Sequence, residues 1–319
     1  MSPVRFQAAK LGNLRLVIGV IGGTGSGKTN SALRLAKGIA GNEKWAVLDT
    51  EANRALHYAD QFQFDHAVLE SPFRPARFTE AIQDAEKAGY RVLVVDSMSH
   101  VWSGPGGVLE WHDELMGGRE ARKMTAWIEP KTEHRRMVNA ITQMKTMHLV
   151  LAFRAQQKVD MVKVDGKWEV VPKKSLTGLD GWIPICESQF PHELTMSLLL
   201  TADAPGVPKP VKLEGKHRPL VPLNAPLTEA TGAALARWAS GQEPGTTADA
   251  KALEAEVTKL TARALELTDD DAKRAERQEN LERARAKFDD IGAFLAWLGA
   301  QVERLEAQAA AREQEQMDL

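Results

Sequence analysis

The sequence predicts an α/β fold: a mostly parallel sheet covered by helices on both faces, an antiparallel hairpin extension, and a helical C-terminal appendage. Three observations lead there. Unbroken apolar runs such as "RVLVVD" (Arg91 to Asp96) and "HLVLAF" (His148 to Phe153) alternate with helical patterns, as strands buried on both faces do. A glycine-rich loop, "GGTGSGKT", joins the first apolar run to the first helical one. Beyond "GQEPGTT" (Gly241 to Thr247) the composition shifts to Ala, Glu, Arg, Lys, Leu and Gln.

Taken in order, Arg15 to Ile21 reads as a strand, Lys28 to Ala40 as a helix, and Lys44 to Leu48 and His66 to Leu69 as strands. Phe78 to Ala88 is an amphipathic helix leading to the strand ending at Asp96, and Glu133 to Met147 a helix leading to the strand from His148. From Gln157 to about Leu213 the pattern changes. An Asp165-Gly166 turn separates "VDMVKV" from "KWEVV", and "ELTMSLLLTAD" and "KPVKLEG" follow, reading as hairpins that extend the sheet. A helix over Thr228 to Ser240 closes a first domain, 1–242. The appendage, 243–319, reads as helices over Lys251 to Leu267, Asp271 to Phe288 and Ile291 to Arg312, the second with an acidic first turn.

With 43% hydrophobic and 26% charged residues the chain can build an ordinary globular core. Its single cysteine, Cys186, excludes an internal disulfide and points to a reducing cytoplasm. The N-terminal apolar run is too short to span a bilayer and leads into the glycine loop, so neither a signal peptide nor a membrane anchor is expected. A net charge of −2 means that any nucleic-acid contact must come from a local patch.

The loop Gly22, Gly23, Thr24, Gly25, Ser26, Gly27, Lys28, Thr29 fits G-x-x-x-x-G-K-[ST] without mismatch, after a strand and before a helix. Its glycines let successive N–H groups face phosphate oxygens, with Asn30 next in the helix that adds its N-terminal field. Lys28 reaches β- and γ-phosphates and the Thr29 hydroxyl ligates Mg²⁺, so ATP and Mg²⁺ are the expected ligands. Asp96, at the end of an apolar strand, is the carboxylate expected to reach the magnesium shell.

"AVLDTEANRALHYA" places Asp49 and Glu51 at the end of another buried strand, two residues apart and so on one face. Such a pair either caps the following helix or serves chemistry. This segment resembles the one in RecA-type recombinases that carries their catalytic glutamate, and "LVVDSMSHVW" resembles their magnesium-binding strand end. Closer still is the resemblance to phage-encoded short RecA/RadA-like ATPases of AAA type, carried by "DSMSHVWSGPGGVLEWHDEL", "TAWIEPKTEHRRMVNAI" and a strand ending near Arg154. It covers roughly residues 15 to 240 and leaves the appendage unaccounted for.

The resemblance implies a RecA-like P-loop core, with Glu51 activating the attacking water and Asp49 supporting it or capping the helix. Arg154 falls near the family's phosphate-sensing glutamine, the alternative being a register that brings in Gln156 or Gln157. The two DNA loops fall at Met116 to Thr125, with Arg119, Arg122 and Lys123, and at Asp160 to Leu179, with Lys163, Lys167, Trp168, Lys173 and Lys174. Cations beside an aromatic platform suit single-stranded DNA, although solvated hairpin faces look the same in sequence. Lys216 and Arg218 match a Lys-x-Arg pair that RecA-class rings and filaments aim at a neighbour's γ-phosphate; a plain surface pair is the alternative.

The function expected is therefore Mg²⁺-ATP hydrolysis coupled to single-stranded DNA in phage-type recombination or annealing, in a self-associating ring or filament. A second class is a nucleotide-controlled assembly or partner-loading ATPase that never touches DNA. A small-molecule kinase is disfavoured, because no arginine-rich lid segment is present.

Overall fold

The computed structural model describes residues 8–164, 167–173, 181–242, 247–268, 270–285, 288 and 291–317. The chain divides into two compact units with the boundary between residues 242 and 243. In the first, the strands are β1 (Val17–Gly22), β2 (Trp45–Asp49), β3 (Asp65–Val68), β4 (Val92–Asp96), β5 (His148–Gln157), β6 (Val159–Val164), β7 (Lys167–Pro172), β8 (Trp182–Pro184), β9 (Met196–Thr201) and β10 (Ala204–Lys212). Its helices are α1 (Lys28–Ala40), α2 (Pro75–Lys87), α3 (His100–Ser103), α4 (Val108–Met116), α5 (Ile128–Thr142), α6 (Phe190–Glu193) and α7 (Glu229–Ser240). The main sheet runs β10-β9-β1-β5-β4-β2-β3, with β8 paired to β5 off this path.

Alternation along the strands explains the layers. In β1, Ile18 and Val20 pack with α1 and α7 residues such as Leu35 and Leu235, whereas Val17 and Ile21 join Phe78 and Ile82 of α2 and Met137 and Ile141 of α5. The same split runs through β2 and β4, so both sheet faces are covered and the strands need unbroken apolar sequence. Within the main sheet every pairing is parallel except β9 with β10 and β5 with β8.

The expected antiparallel hairpin extension is present as β9–β10, and two details of the hairpins are corrected. The strand β9, within "ELTMSLLLTAD", enters the sheet parallel to β1, and only β10 folds back on it in antiparallel fashion. The β6–β7 hairpin does not extend the main sheet but forms a two-stranded sheet of its own. Its composition allows this: Val159, Met161, Trp168 and Val170 are exposed, so it has no apolar face committed to the core. The predicted Asp165-Gly166 turn lies outside the described residues.

Helices α1 and α7 approach closely enough that a Cβ on Gly232 would overlap the Leu35 carbonyl oxygen. α7 starts at a Thr228 cap whose hydroxyl accepts from the Thr231 N–H at 3.4 Å, and Glu229 pairs with Arg34 of α1 at 2.9 Å. The second unit contains α8 (Thr247–Glu266), α9 (Asp271–Arg285) and α10 (Ile291–Met317), whose core includes Ala264, Leu281, Phe294, Leu298 and Val302. Among the described residues no helix is long and apolar enough to cross a membrane.

Two buried histidines make the core acid-sensitive. His148 accepts the Leu16 N–H at Nδ1 (3.1 Å), and burial, reinforced by Arg91 and Arg15, pushes its pKa down to about 3. Burial pushes His134 down to about 4, against the charge of Glu187. Between the unfolded value near 6.5 and these folded values only the unfolded chain takes up the protons. The two histidines' contribution to stability is therefore present above pH 6.5 and is lost as the pH drops from 6.5 towards 3. Denaturant midpoints measured from pH 7 to pH 4 should decline, and less steeply in His148→Gln; equal slopes would remove His148 as a cause.

Candidate functional site

The register of the parallel strands brings three polar side chains level with the start of the glycine loop, at or near their carboxyl ends. Gly22 of β1 pairs with Arg154 of β5, Ala152 of β5 with Asp96 of β4, and Asp96 with Asp49 of β2. Outside these ends lies a cleft of about 450 Å³, lined by Gly22 to Thr29, Glu51, Arg54, Tyr58, Arg154, Ala155 and Ile185. Position at the carboxyl edge of a parallel sheet is where open α/β folds bind ligands.

The loop from Gly22 to Gly27 takes the course its glycines permit. Gly27 has φ of +77°, and a Cβ there would sit 3.0 Å from the Gly206 amide nitrogen, so a side chain is disfavoured on both counts. The Ser26 carbonyl accepts the Gly206 N–H at 2.9 Å, tying the loop to β10. α1 begins after Gly27 without a side-chain cap or an acidic residue in its first turn, which leaves its leading N–H groups for an anion. Lys28 and Thr29 are buried at the loop's end, whereas Asn30 is not part of the lining.

Thr29 Oγ1 donates to Asp96 Oδ2 at 2.6 Å. The second Asp96 oxygen is buried with no hydrogen-bond partner, and burial, partly offset by Lys28 and Thr29, raises the Asp96 pKa. A buried carboxylate with a free oxygen beside a hydroxyl is a hard-oxygen pair that suits Mg²⁺, which takes one or two protein ligands plus phosphate and water. Thr29 and Asp96 fit that ion.

The two acids of the β2 end have separate tasks. β2 stops at Asp49, and the chain turns through Ala52 and Asn53, both at positive φ. Asp49 accepts the Glu51 N–H at 2.7 Å and the Ala55 N–H at 2.9 Å, with His66 Nε2 at 3.3 Å, so it caps the turn. Glu51 instead reaches the cleft. Its Oε1 accepts from Arg154 Nε at 2.9 Å and its Oε2 from Arg54 Nη1 at 3.0 Å, and its side chain is only 6% exposed. Burial alone raises its pKa, but Arg154, Lys28 and Arg54 together outweigh burial and hold the carboxyl below its usual 4.5. Two strands, β5 and β4, separate β2 from β1, so Glu51 does not come from a neighbouring strand; it meets the loop across their ends.

Other expected residues lie elsewhere. Gln156 and Gln157 are not part of the cleft lining, and Arg154 is. Lys216 and Arg218 are exposed at the turn after β10 and do not line the cleft. Arg119, Arg122 and Lys123 are exposed beyond α4, Lys123 paired with Glu120 at 2.7 Å. On the β6–β7 hairpin Lys163 stands opposite Trp168, which is 65% exposed; Lys167 is exposed and Lys173 lies 3.8 Å from Asp160. Lys174 lies outside the described residues. Sequence reasoning missed Arg54 and Tyr58, whose only signal was their position three and seven residues after Glu51 on a short 3₁₀ turn.

A model of the AAA_24 family, described as an AAA domain, matches residues 14–183, more than half of the chain. The chain belongs to this family. The AAA domain, a P-loop NTPase domain, thus takes in β1 to β7, with the loop, Glu51, Asp96 and Arg154, and ends before β9, β10 and the Lys216–Arg218 turn. No curated protein matches the chain.

The capping role of Asp49 in this AAA domain is testable. Asp49→Ala strips the buried Ala55 N–H and the partly buried Glu51 N–H of their acceptor and should cost about 1–3 kcal/mol in denaturant unfolding, with Asp49→Asn costing less. An unchanged midpoint for Asp49→Ala would refute the cap.

Proposed function

We propose that the protein binds Mg²⁺-ATP and hydrolyses it, with Glu51 as the general base. The observation that supports this best is the convergence of the P-loop, buried Lys28 and the Glu51 carboxylate on one cleft. Loop N–H groups and the Lys28 ammonium hold the polyphosphate, and Thr29 and Asp96 hold the ion, which neutralises phosphate charge when bound. A water oxygen attacks the γ-phosphorus as the bond to the β-bridging oxygen breaks; ADP leaves with that electron pair, and Glu51 takes the water's proton. Arg154 stands beside Glu51 as a donor for charge developing on the γ-phosphoryl oxygens. The adenine preference rests on the resemblance to RecA-type ATPases.

Lys28→Ala should weaken ATP binding at least about tenfold, and Glu51→Gln should keep ATP bound while slowing phosphate release by about 10²–10⁴-fold. Calorimetric titration and a phosphate-release assay measure the two. Full turnover by Glu51→Gln would return Glu51 to a structural role, and absence of ATP binding by the wild type would sink the whole reading.

Coupling to single-stranded DNA, as in the phage-encoded recombination and annealing proteins, is the finer part of the proposal. It draws on the exposed Trp168 opposite Lys163, a stacking surface beside a cation. It also draws on the charge partition: residues 1–242 hold 30 basic and 25 acidic residues, whereas 243–319 hold 11 and 18. Lys216 and Arg218 lie outside their own cleft, so a role in hydrolysis needs a second copy in a ring or filament. One experiment addresses both points: ATP turnover per chain, with and without an oligonucleotide, over a dilution series. The proposal expects stimulation that falls with salt and with Trp168→Ala, and a rate that falls on dilution and in Arg218→Ala. A rate indifferent to DNA favours the assembly or partner-loading ATPase, and a rate indifferent to dilution removes the second copy.

A further inference from the structure

The Glu51 carboxylate is engaged at both oxygens. Arg154 Nε donates to Oε1 and Arg54 Nη1 to Oε2, at 2.9 and 3.0 Å, and all three side chains line the same cleft as the P-loop. A carboxylate paired at both ends is a poor base, because each guanidinium stabilises the unprotonated form and occupies a lone pair. The two arginines are not equivalent. Arg154 belongs to a central strand, with its backbone N–H held by Ser99 Oγ at 2.9 Å. Both side chains are about half exposed, 53% for Arg54 and 48% for Arg154, but Arg54 stands on a five-residue 3₁₀ turn entered through Asn53 at φ +67°, and that backbone makes it the one to change partner. Guanidinium forks bind phosphate at least as well as carboxylate, since both present paired oxygens and a phosphate chain carries more charge.

We propose that Arg54 is a positioning residue that moves from Glu51 to the polyphosphate of the bound nucleotide, so that Glu51 is released for base chemistry only when the cleft is filled. The proposal rests on the nucleotide reading above. Binding then includes an exchange: the Arg54–Glu51 pair breaks and an Arg54–phosphate pair forms, with Arg154 keeping Glu51 oriented. Loss of one guanidinium also returns Glu51 towards its ordinary carboxyl basicity. Nucleotide and carboxylate thus compete for one side chain, and competition of this kind has a thermodynamic signature that simple charge repulsion lacks.

The signature is a double-mutant cycle read in binding affinity. The probe is the slowly hydrolysed ATP analogue with a β,γ-imido bridge, titrated with Mg²⁺ present, and melting curves establish that each variant is folded. Glu51→Gln weakens the grip on Arg54, so it should tighten binding about fivefold to tenfold; Arg54→Ala should weaken it about tenfold. In Arg54→Ala the further change Glu51→Gln should shift affinity less than about twofold, because no shared side chain is left to compete for. Arg54→Lys, which keeps the charge without the fork, should fall between. If Glu51→Gln tightens binding equally with and without Arg54, general repulsion explains it and the exchange is wrong, while nucleotide binding stands. If Arg54→Ala alone leaves affinity unchanged, Arg54 does not reach the nucleotide and the exchange is equally overturned. If the wild type does not bind the analogue, the nucleotide reading fails and the exchange falls with it.

Discussion

The hydrogen bond from Thr29 to Asp96 fixes the geometry on which the cleft depends. It joins the first turn of α1 to the end of β4 across the intervening strand β5, and both residues are buried. Because α1 begins within the glycine loop, anchoring its first turn also sets the direction of the loop's N–H groups. The register that sets Arg154, Asp96 and Asp49 level with Gly22 on neighbouring strands then does the rest, since each polar side chain follows an apolar run of its strand.

Keeping so many charges at one edge of a core is costly unless they answer each other. The protein divides the problem. Asp49 is satisfied by backbone N–H groups, Glu51 by two arginines, and Asp96 by one hydroxyl, with one oxygen left unmet. That last position is the least satisfied of the three, and it is the one beside the P-loop hydroxyl.

Much of the architecture was legible in the sequence because the signals were local. Buried strands announce themselves by unbroken apolar runs, and the helix Lys28 to Ala40 has the bounds its loop and its terminal glycine dictate. Asp49 and Glu51 were harder. Strand alternation put them on one face, but the strand ends at Asp49, and whether a carboxylate caps its own turn or enters a cleft depends on two backbone N–H groups that no spacing rule reveals. The parallel entry of β9 was not legible either: an apolar strand close to a turn looks alike whether it pairs with the strand after it or with one far back in the chain. Arg54 was invisible for a related reason. An arginine three residues from a glutamate on an irregular turn is usually surface decoration, and only the cleft gives it a second meaning.

The loop's dependence on β10 and α7 bears on what counts as the smallest working piece of this protein. The family match ends at residue 183, yet β9 flanks β1, Gly206 holds the Ser26 carbonyl, and α7 covers the outer side of α1. A chain cut where the match stops would expose one edge of its first strand and an apolar stripe of the helix that follows the glycine loop. Sequence kinship and folding autonomy therefore have different borders here. The matched part is recognisable from its P-loop and strand-end acids, but it is held in shape by some sixty residues that carry neither.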